Sequence, residues 1–342
     1  MKMKRVKAMV MAGIMAAALC AGSTAVFADA PAAGIGDLDI TKRLNIAEGI
    51  TVPDVTFTFD IAKVTQDAPE VSDKTVTYSG TDGVTDGDVE KTVQDIFTGV
   101  TFPHAGVFQY TVTETAGLTE VGGGTISYDD SAYTVRVYVE NGEKGPEIKE
   151  ITVEGTSGKM TELAFENTYR KTTDLEVTKN TVGSLADKTK EFSFSIIFTK
   201  ASTCEEDSFI SGGETYEYGR EYTFTLADGQ SQVFSNLPAG TRYVVTEAGA
   251  EDGYTPSVSV VENGTATVNK TASDEKSELA SAETDKTNLA GEGENSVTFT
   301  NTYNDVPITG VIMNNLPFIL LIVAAAGGFT VYVISRRHRM AK

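Results

Sequence analysis

From about residue 37 to residue 305 the chain alternates apolar and polar side chains in short runs, each closed by Gly, Asp, Asn or Pro. Val55 to Ile61, Val107 to Val112, Tyr133 to Val139, Phe192 to Phe198 and Tyr243 to Thr246 carry the two-residue period of half-buried strands. No stretch of this region sustains a helical period. The pattern predicts an all-β chain of two tandem immunoglobulin-like β-sandwich domains, 37–170 and 171–304, with several strands in each. Residues 66 to 94 and 264 to 295 are polar, acidic and rich in Gly, Ser and Thr, and are expected to be long surface loops inside the domains.

The two ends follow other patterns. Residues 1 to 28 begin with Lys2, Lys4, Arg5 and Lys7, continue through the apolar run Ala8 to Leu19 and finish in Val26-Phe27-Ala28. This is the layout of an N-terminal signal peptide, cut between Ala28 and Asp29. A cut after Ala30 would leave Pro31 first, a poor leaving side. Leu19 before Cys20 argues against a lipoprotein, so export leaves Cys204 as the sole cysteine and no internal disulfide. Near the C-terminus, 316–334 is long and apolar enough to span a bilayer and is followed by Arg336, Arg337, Arg339 and Lys342, which would stay in the cytoplasm.

Just before that span stands Val306-Pro307-Ile308-Thr309-Gly310. It resembles the LPxTG sorting signal of Gram-positive surface proteins, with Val in the first place, and 306–342 then reads as a complete cell-wall sorting signal. Pro307 enforces an extended or bent backbone. The resemblance implies a membrane sortase whose Cys attacks the Thr309 carbonyl and releases Gly310 onward, leaving a thioacyl intermediate for an amine to resolve.

Charge narrows the partners. Of 28 basic residues against 48 acidic ones, eight of the basic ones lie in the two ends. The segment between is strongly acidic, which excludes nucleic acid as a partner.

Within the middle segment one set of residues occurs twice. Lys42 in Leu38-Asp39-Ile40-Thr41-Lys42 is matched by Lys179 in Leu175-Glu176-Val177-Thr178-Lys179; Glu114, four residues after Tyr110, by Glu247, four after Tyr243. Asn167 in Phe165-Glu166-Asn167-Thr168-Tyr169 is matched by Asn301 in Phe299-Thr300-Asn301-Thr302-Tyr303. Strand parity puts each Lys, Glu and Asn on the face of apolar neighbours two residues away. Isolated charges there are costly. Burial would lower the amine pKa and raise that of the acid. A neutral Lys can then attack the Asn carboxamide while a protonated Glu donates to its carbonyl and shuttles protons; ammonia leaves and an amide remains.

These residues and their order resemble Gram-positive sortase-assembled pilins with self-generated Lys-Asn isopeptide bonds, most closely the streptococcal-type two-domain major shaft pilin. The resemblance implies bonds Lys42–Asn167, assisted by Glu114, and Lys179–Asn301, assisted by Glu247, each tying the first strand of a domain to its last. It implies a structural subunit on the cell surface, exported and transiently anchored in the membrane. A class C type sortase would join identical subunits through Thr309, with minor pilins added and peptidoglycan as the final anchor. No cofactor or metal is expected, and no turnover enzyme.

The amine accepting Thr309 would be a Lys late in the first domain. Lys159, beside Gly158 and eight residues before Asn167, fits, with Lys149 and Lys144 as rivals because the Tyr-Pro-Lys pilin motif is absent. The alternative is a monomeric sortase-anchored adhesin. Asp82 to Glu90 lacks calcium-loop spacing, and His104 reads as a turn residue. Cys204 sits beside Glu205, Glu206 and Asp207, the wrong setting for an activated nucleophile.

Overall fold

The structure, a computed structural model, describes residues 37–303. The expected signal peptide, the sorting motif Val306 to Gly310, the apolar span and the basic tail lie outside the described residues.

The first half contains β1 (Ile40–Ile46), β2 (Val55–Lys63), β3 (Lys74–Tyr78), β4 (Asp88–Val93), β5 (Gly106–Thr115) and β6 (Glu120–Val121). It continues with β7 (Gly124–Ser127), β8 (Ala132–Gly142), β9 (Gly145–Gly155), β10 (Gly158–Met160) and β11 (Leu163–Arg170). They form two sheets, β4-β1-β11-β7-β6 and β10-β9-β8-β5-β2-β3. Inward residues such as Phe57, Phe59, Phe108, Tyr110, Val135 and Phe165 are buried in one apolar core.

The second half contains β12 (Thr172–Val182), β13 (Phe192–Thr199), β14 (Ser208–Ser211), β15 (Glu214–Glu217), β16 (Glu221–Leu226) and β17 (Ser231–Pro238). After these come β18 (Thr241–Glu247), β19 (Tyr254–Glu262), β20 (Thr265–Thr271), β21 (Leu279–Ala280), β22 (Asn288–Ala290) and β23 (Ser296–Tyr303). Its sheets are β17-β12-β23-β19-β20 and β16-β13-β18-β21, with β22 also on β18 and β14-β15 a separate hairpin. A second core, including Phe194, Ile196, Phe198, Tyr243, Val258 and Phe299, fills the space between them. The described residues are all-β, two immunoglobulin-like sandwiches in tandem, as the alternation predicts.

The first and last strands of each half lie side by side and parallel: β1 pairs with β11, and β12 with β23. Adjacent parallel strands need a long crossover. Here everything between them supplies it.

The expected long loops are a correction. Residues 66–94 hold β3 and β4, and 264–295 hold β20, β21 and β22. β3, β4 and β20 are the outermost strands of their sheets. An edge strand bonds a neighbour on one side only, and these keep few buried side chains, Tyr78 in β3 and Val89 in β4. Polar, Thr-rich sequence suffices there and hides the period. Between β19 and β20, Asn263 (φ 49°) and Gly264 (φ 77°) form the left-handed pair that a two-residue hairpin requires.

Candidate isopeptide sites

In β1 every second residue is fully buried, Ile40, Lys42, Leu44 and Ile46. Lys42 therefore enters the core for the same reason its isoleucine neighbours do: the pleat sends it there. Lys42 lies opposite Phe165 of β11, and Asn167 lies opposite Leu44. Amine and carboxamide thus stand two registers apart on adjacent strands, facing the same interior. The acid arrives from the other sheet. Glu114, near the end of β5 and opposite Phe59, has a fully buried side chain.

The three meet. Lys42 Nζ donates to Glu114 Oε2 at 2.9 Å, and Asn167 Nδ2 donates to Glu114 Oε1 at 2.8 Å. The Phe57 ring lies under the amine, 4.7 Å from Nζ to its centroid. Burial pulls the Lys42 pKa down against the opposing pull of Glu114, and pushes the Glu114 carboxyl up against the pull of Lys42 and Asn167.

The second half repeats the arrangement. Leu175, Val177 and Lys179 of β12 are buried in alternation, with Phe299 opposite Lys179 and Asn301 opposite Thr181. Glu247 closes β18 in the facing sheet, opposite Phe194. Lys179 Nζ and Asn301 Nδ2 both donate to one oxygen, Glu247 Oε1, at 2.8 and 2.7 Å. The Phe192 ring centroid lies 4.3 Å from Nζ. Burial pulls Lys179 down to about 8 and pushes Glu247 up.

Low polarity favours the neutral pair, amine plus carboxylic acid, over two buried charges. A neutral amine held against a primary carboxamide by a shared acid is equipped for acyl transfer: the C–N bond to Lys forms, the C–NH₂ bond breaks, and the acid carries the proton from one nitrogen to the other.

One detail departs from expectation. The sequence predicts an acid that donates to the Asn carbonyl; instead Glu114 and Glu247 accept from the Asn amide nitrogen. The Asn167 carbonyl Oδ1 accepts the main-chain N–H of Asp129 at 2.8 Å. Asn301 Oδ1 and Glu247 Oε2 are buried without a partner among the described residues. The Asp129 contact and the rings of Phe57 and Phe192 escaped the sequence reading. The rings could have been found, since both lie near the start of the strand after the Lys strand, Phe57 third in β2 and Phe192 first in β13; the amide is placed by a turn and leaves no mark in the pattern.

Of the lysines considered as acceptors, Lys159 is exposed on β10, opposite Glu154 of β9. Lys149 is exposed and ion-paired with Glu140 at 2.7 Å, and Lys144 is exposed in the turn after β8. His104 contacts Asp67 and the Ala105 carbonyl, while Cys204 lies near Tyr218 and Glu206, so each has other company.

Residues 38–170 match a family described as the Spy0128-like isopeptide containing domain, and residues 173–303 match a domain family of unknown function. The chain is 30% identical over 325 residues to a pilin of Streptococcus pyogenes serotype M1, covering 88% of this chain and 91% of that protein. It is 38% identical over 143 residues to the pilus tip adhesin Cpa of Streptococcus pyogenes, covering 40% of this chain and 18% of the adhesin. Among solved structures, that of the major pilin from Streptococcus pyogenes aligns over 79% of this chain and 99% of that one, with 28% identity and a TM-score of 0.39.

Proposed function

The chain belongs to the streptococcal pilin family, a family of structural proteins, and from that premise we propose that it is the shaft subunit of a covalently polymerised surface pilus. Each half closes itself by a Lys-Asn bond, Lys42 to Asn167 and Lys179 to Asn301, with Glu114 and Glu247 moving the protons. A sortase of the class C type then joins the Thr309 carbonyl of one subunit to a lysine of the next, with Lys159 as the preferred acceptor; the finished fibre carries minor pilins and ends on peptidoglycan. The precursor is held by the apolar span until that transfer.

The observation that carries this reading is the burial of two complete Lys-Glu-Asn triads at 0% exposure of both lysines and both asparagines. An unreacted Lys-Glu pair in an apolar core is weak evidence of stability design, because desolvation offsets its attraction. Conversion to an amide removes both charges.

The strand directions fit head-to-tail assembly. β1 and β11 run toward the junction with the second half, and β12 and β23 run away from it, so the chain leaves Tyr303 at the end opposite Lys159.

Intact-mass measurement on residues 29–309 is the direct test. The expected mass is short by two molecules of ammonia, and Glu114→Ala or Glu247→Ala each restores one. An unmodified mass removes the self-bonding reading and leaves the sorting reading standing. A ladder of covalent oligomers surviving hot detergent supports a shaft; a single band supports the wall-anchored adhesin instead.

A further inference from the structure

The two triads differ at the atom where negative charge would develop. When an amine adds to the Asn carboxamide, electrons move onto Oδ1, and a donor already aimed at that oxygen lowers the barrier. In the first half Asp129 N donates to Asn167 Oδ1 at 2.8 Å. The donor is held firmly: Asp129 Oδ2 accepts the Glu166 N–H and Oδ1 accepts the Ser131 N–H, each at 2.8 Å. One aspartate thus ties its turn both to itself and to the residue preceding the reacting Asn.

The second half has no counterpart, for a topological reason. β7, the neighbour of β11, stops at Ser127 opposite Thr168, and the chain turns at residues 128–131 just where it comes level with Asn167. β19, the neighbour of β23, instead runs through: Pro256 stands opposite Asn301 and the strand continues to Glu262. Among the described residues no turn presents a main-chain amide there, and Asn301 Oδ1 stays unpartnered.

We infer that the main-chain amide of Asp129 is a catalytic group, an oxyanion donor for the Lys42–Asn167 reaction alone, and that the two bonds consequently close at different rates, the first half ahead of the second. The inference rests on the self-bonding reading. In the step itself, the Lys42 Nζ–Cγ bond forms, the tetrahedral Oδ1 is stabilised by Asp129 N–H, and Glu114 passes the Lys proton to Nδ2. The Cγ–Nδ2 bond then breaks, and ammonia departs.

The test uses the full chain collected in denaturant before it folds and released by dilution. Samples are quenched at intervals, the two branched peptides are quantified by mass, and folding of each half is timed in the same samples by brief proteolysis. Removal of one oxyanion-hole donor slows reactions by about 10²–10³-fold, so closure of Lys42–Asn167, counted from the folded half, should outpace Lys179–Asn301 at least about tenfold. Asp129→Pro, which deletes the N–H, should bring the first bond to the pace of the second and leave the second unchanged. Asp129→Ala keeps the N–H but loses the carboxylate anchors that hold it, and should slow the first bond by less than Asp129→Pro does. Equal rates in the parent chain overturn the inference, as does an Asp129→Ala chain as slow as Asp129→Pro, which would assign the effect to the carboxylate. If Asp129→Pro leaves the first half unfolded, the parent rate ratio decides. Absence of both bonds would instead sink the self-bonding reading.

Discussion

Lys179 and Glu247 share one proton in a place where neither is comfortable charged. The reactive pair, neutral amine and protonated acid, contains the same proton as the ion pair, so interconversion needs no exchange with water and the two groups titrate as a unit. Burial pulls Lys179 down to about 8 and pushes Glu247 up, so the window of the one-proton form narrows from both sides and its upper edge lies near pH 8. The sign follows. Below that window a second proton blocks the amine; above it the last proton leaves and the acid can no longer deliver one. Closure of Lys179–Asn301 during refolding should fall about tenfold per unit above about pH 8. A rate that climbs steadily toward pH 10, as for a free amine, would contradict the shared-proton account. The inward aim of Lys42 and Lys179 was legible from parity alone, since Ile40 and Val177 on the same faces could go nowhere but inside.

At the scale of elements, the parallel pairing of first and last strands decides what a bond does. Tension entering at Ile40 and leaving at Arg170 loads β1 and β11 in shear. A Lys42–Asn167 bond carries that load from one strand to the other and leaves residues 43–166 outside the path. Stretched singly, the native chain should therefore yield no unfolding step from this half, whereas Glu114→Ala should release roughly 400 Å of chain. A step of that length in the native chain would show that the bond does not bear the load. The same closure constrains the unfolded state: for a loop of roughly 125 residues the chain-entropy treatment gives about 5 kcal/mol. Asn167→Ala should accordingly lower the calorimetric melting temperature of the first half by on the order of 10 °C or more. An unchanged transition would mean that the bond contributes little to equilibrium stability. The edge strands β3, β4 and β20 were not legible, because a strand bonded on one side can be made of threonine and lysine.

The whole molecule is joined by a single residue, Lys171, between β11 and β12, yet the halves are not loosely strung. Lys171 Nζ meets Glu292 Oε2 at 2.7 Å, Glu292 Oε1 accepts the Thr51 N–H at 3.1 Å, and the Glu292 N–H donates to the Gly49 carbonyl at 2.9 Å. Partial burial pushes the Glu292 carboxyl up, but the Lys171 and Thr51 bonds outweigh it and hold it below its usual range. Arg170 reaches Glu205, and Arg242 reaches Glu48, across the same junction. Ala201 and Ala239 of the second half pack against the core of the first. Glu292→Ala should therefore raise the rate of tryptic cleavage after Lys171 by about tenfold while both bond masses stay intact, a loss of roughly 1.4 kcal/mol of local protection. Cleavage at the parent rate would place the stiffness of the junction elsewhere. At this scale belongs the acceptor as well: Lys159→Ala should abolish the oligomer ladder, and Lys149→Ala and Lys144→Ala should leave it. A ladder surviving Lys159→Ala would move the acceptor to one of those rivals.

By itself the sequence determined the all-β class, the twofold repeat and the inward aim of the lysines and asparagines, because a strand's period is local and its pleat assigns each side chain a face. Only the tertiary structure decided that β1 meets β11 and β12 meets β23 in parallel, that Glu114 and Glu247 cross from the opposite sheet to within hydrogen-bond reach, and that a turn at Asp129 faces one asparagine but not the other. Those contacts join residues dozens to over a hundred positions apart, and no local preference specifies them; they follow from closing two sheets over one core.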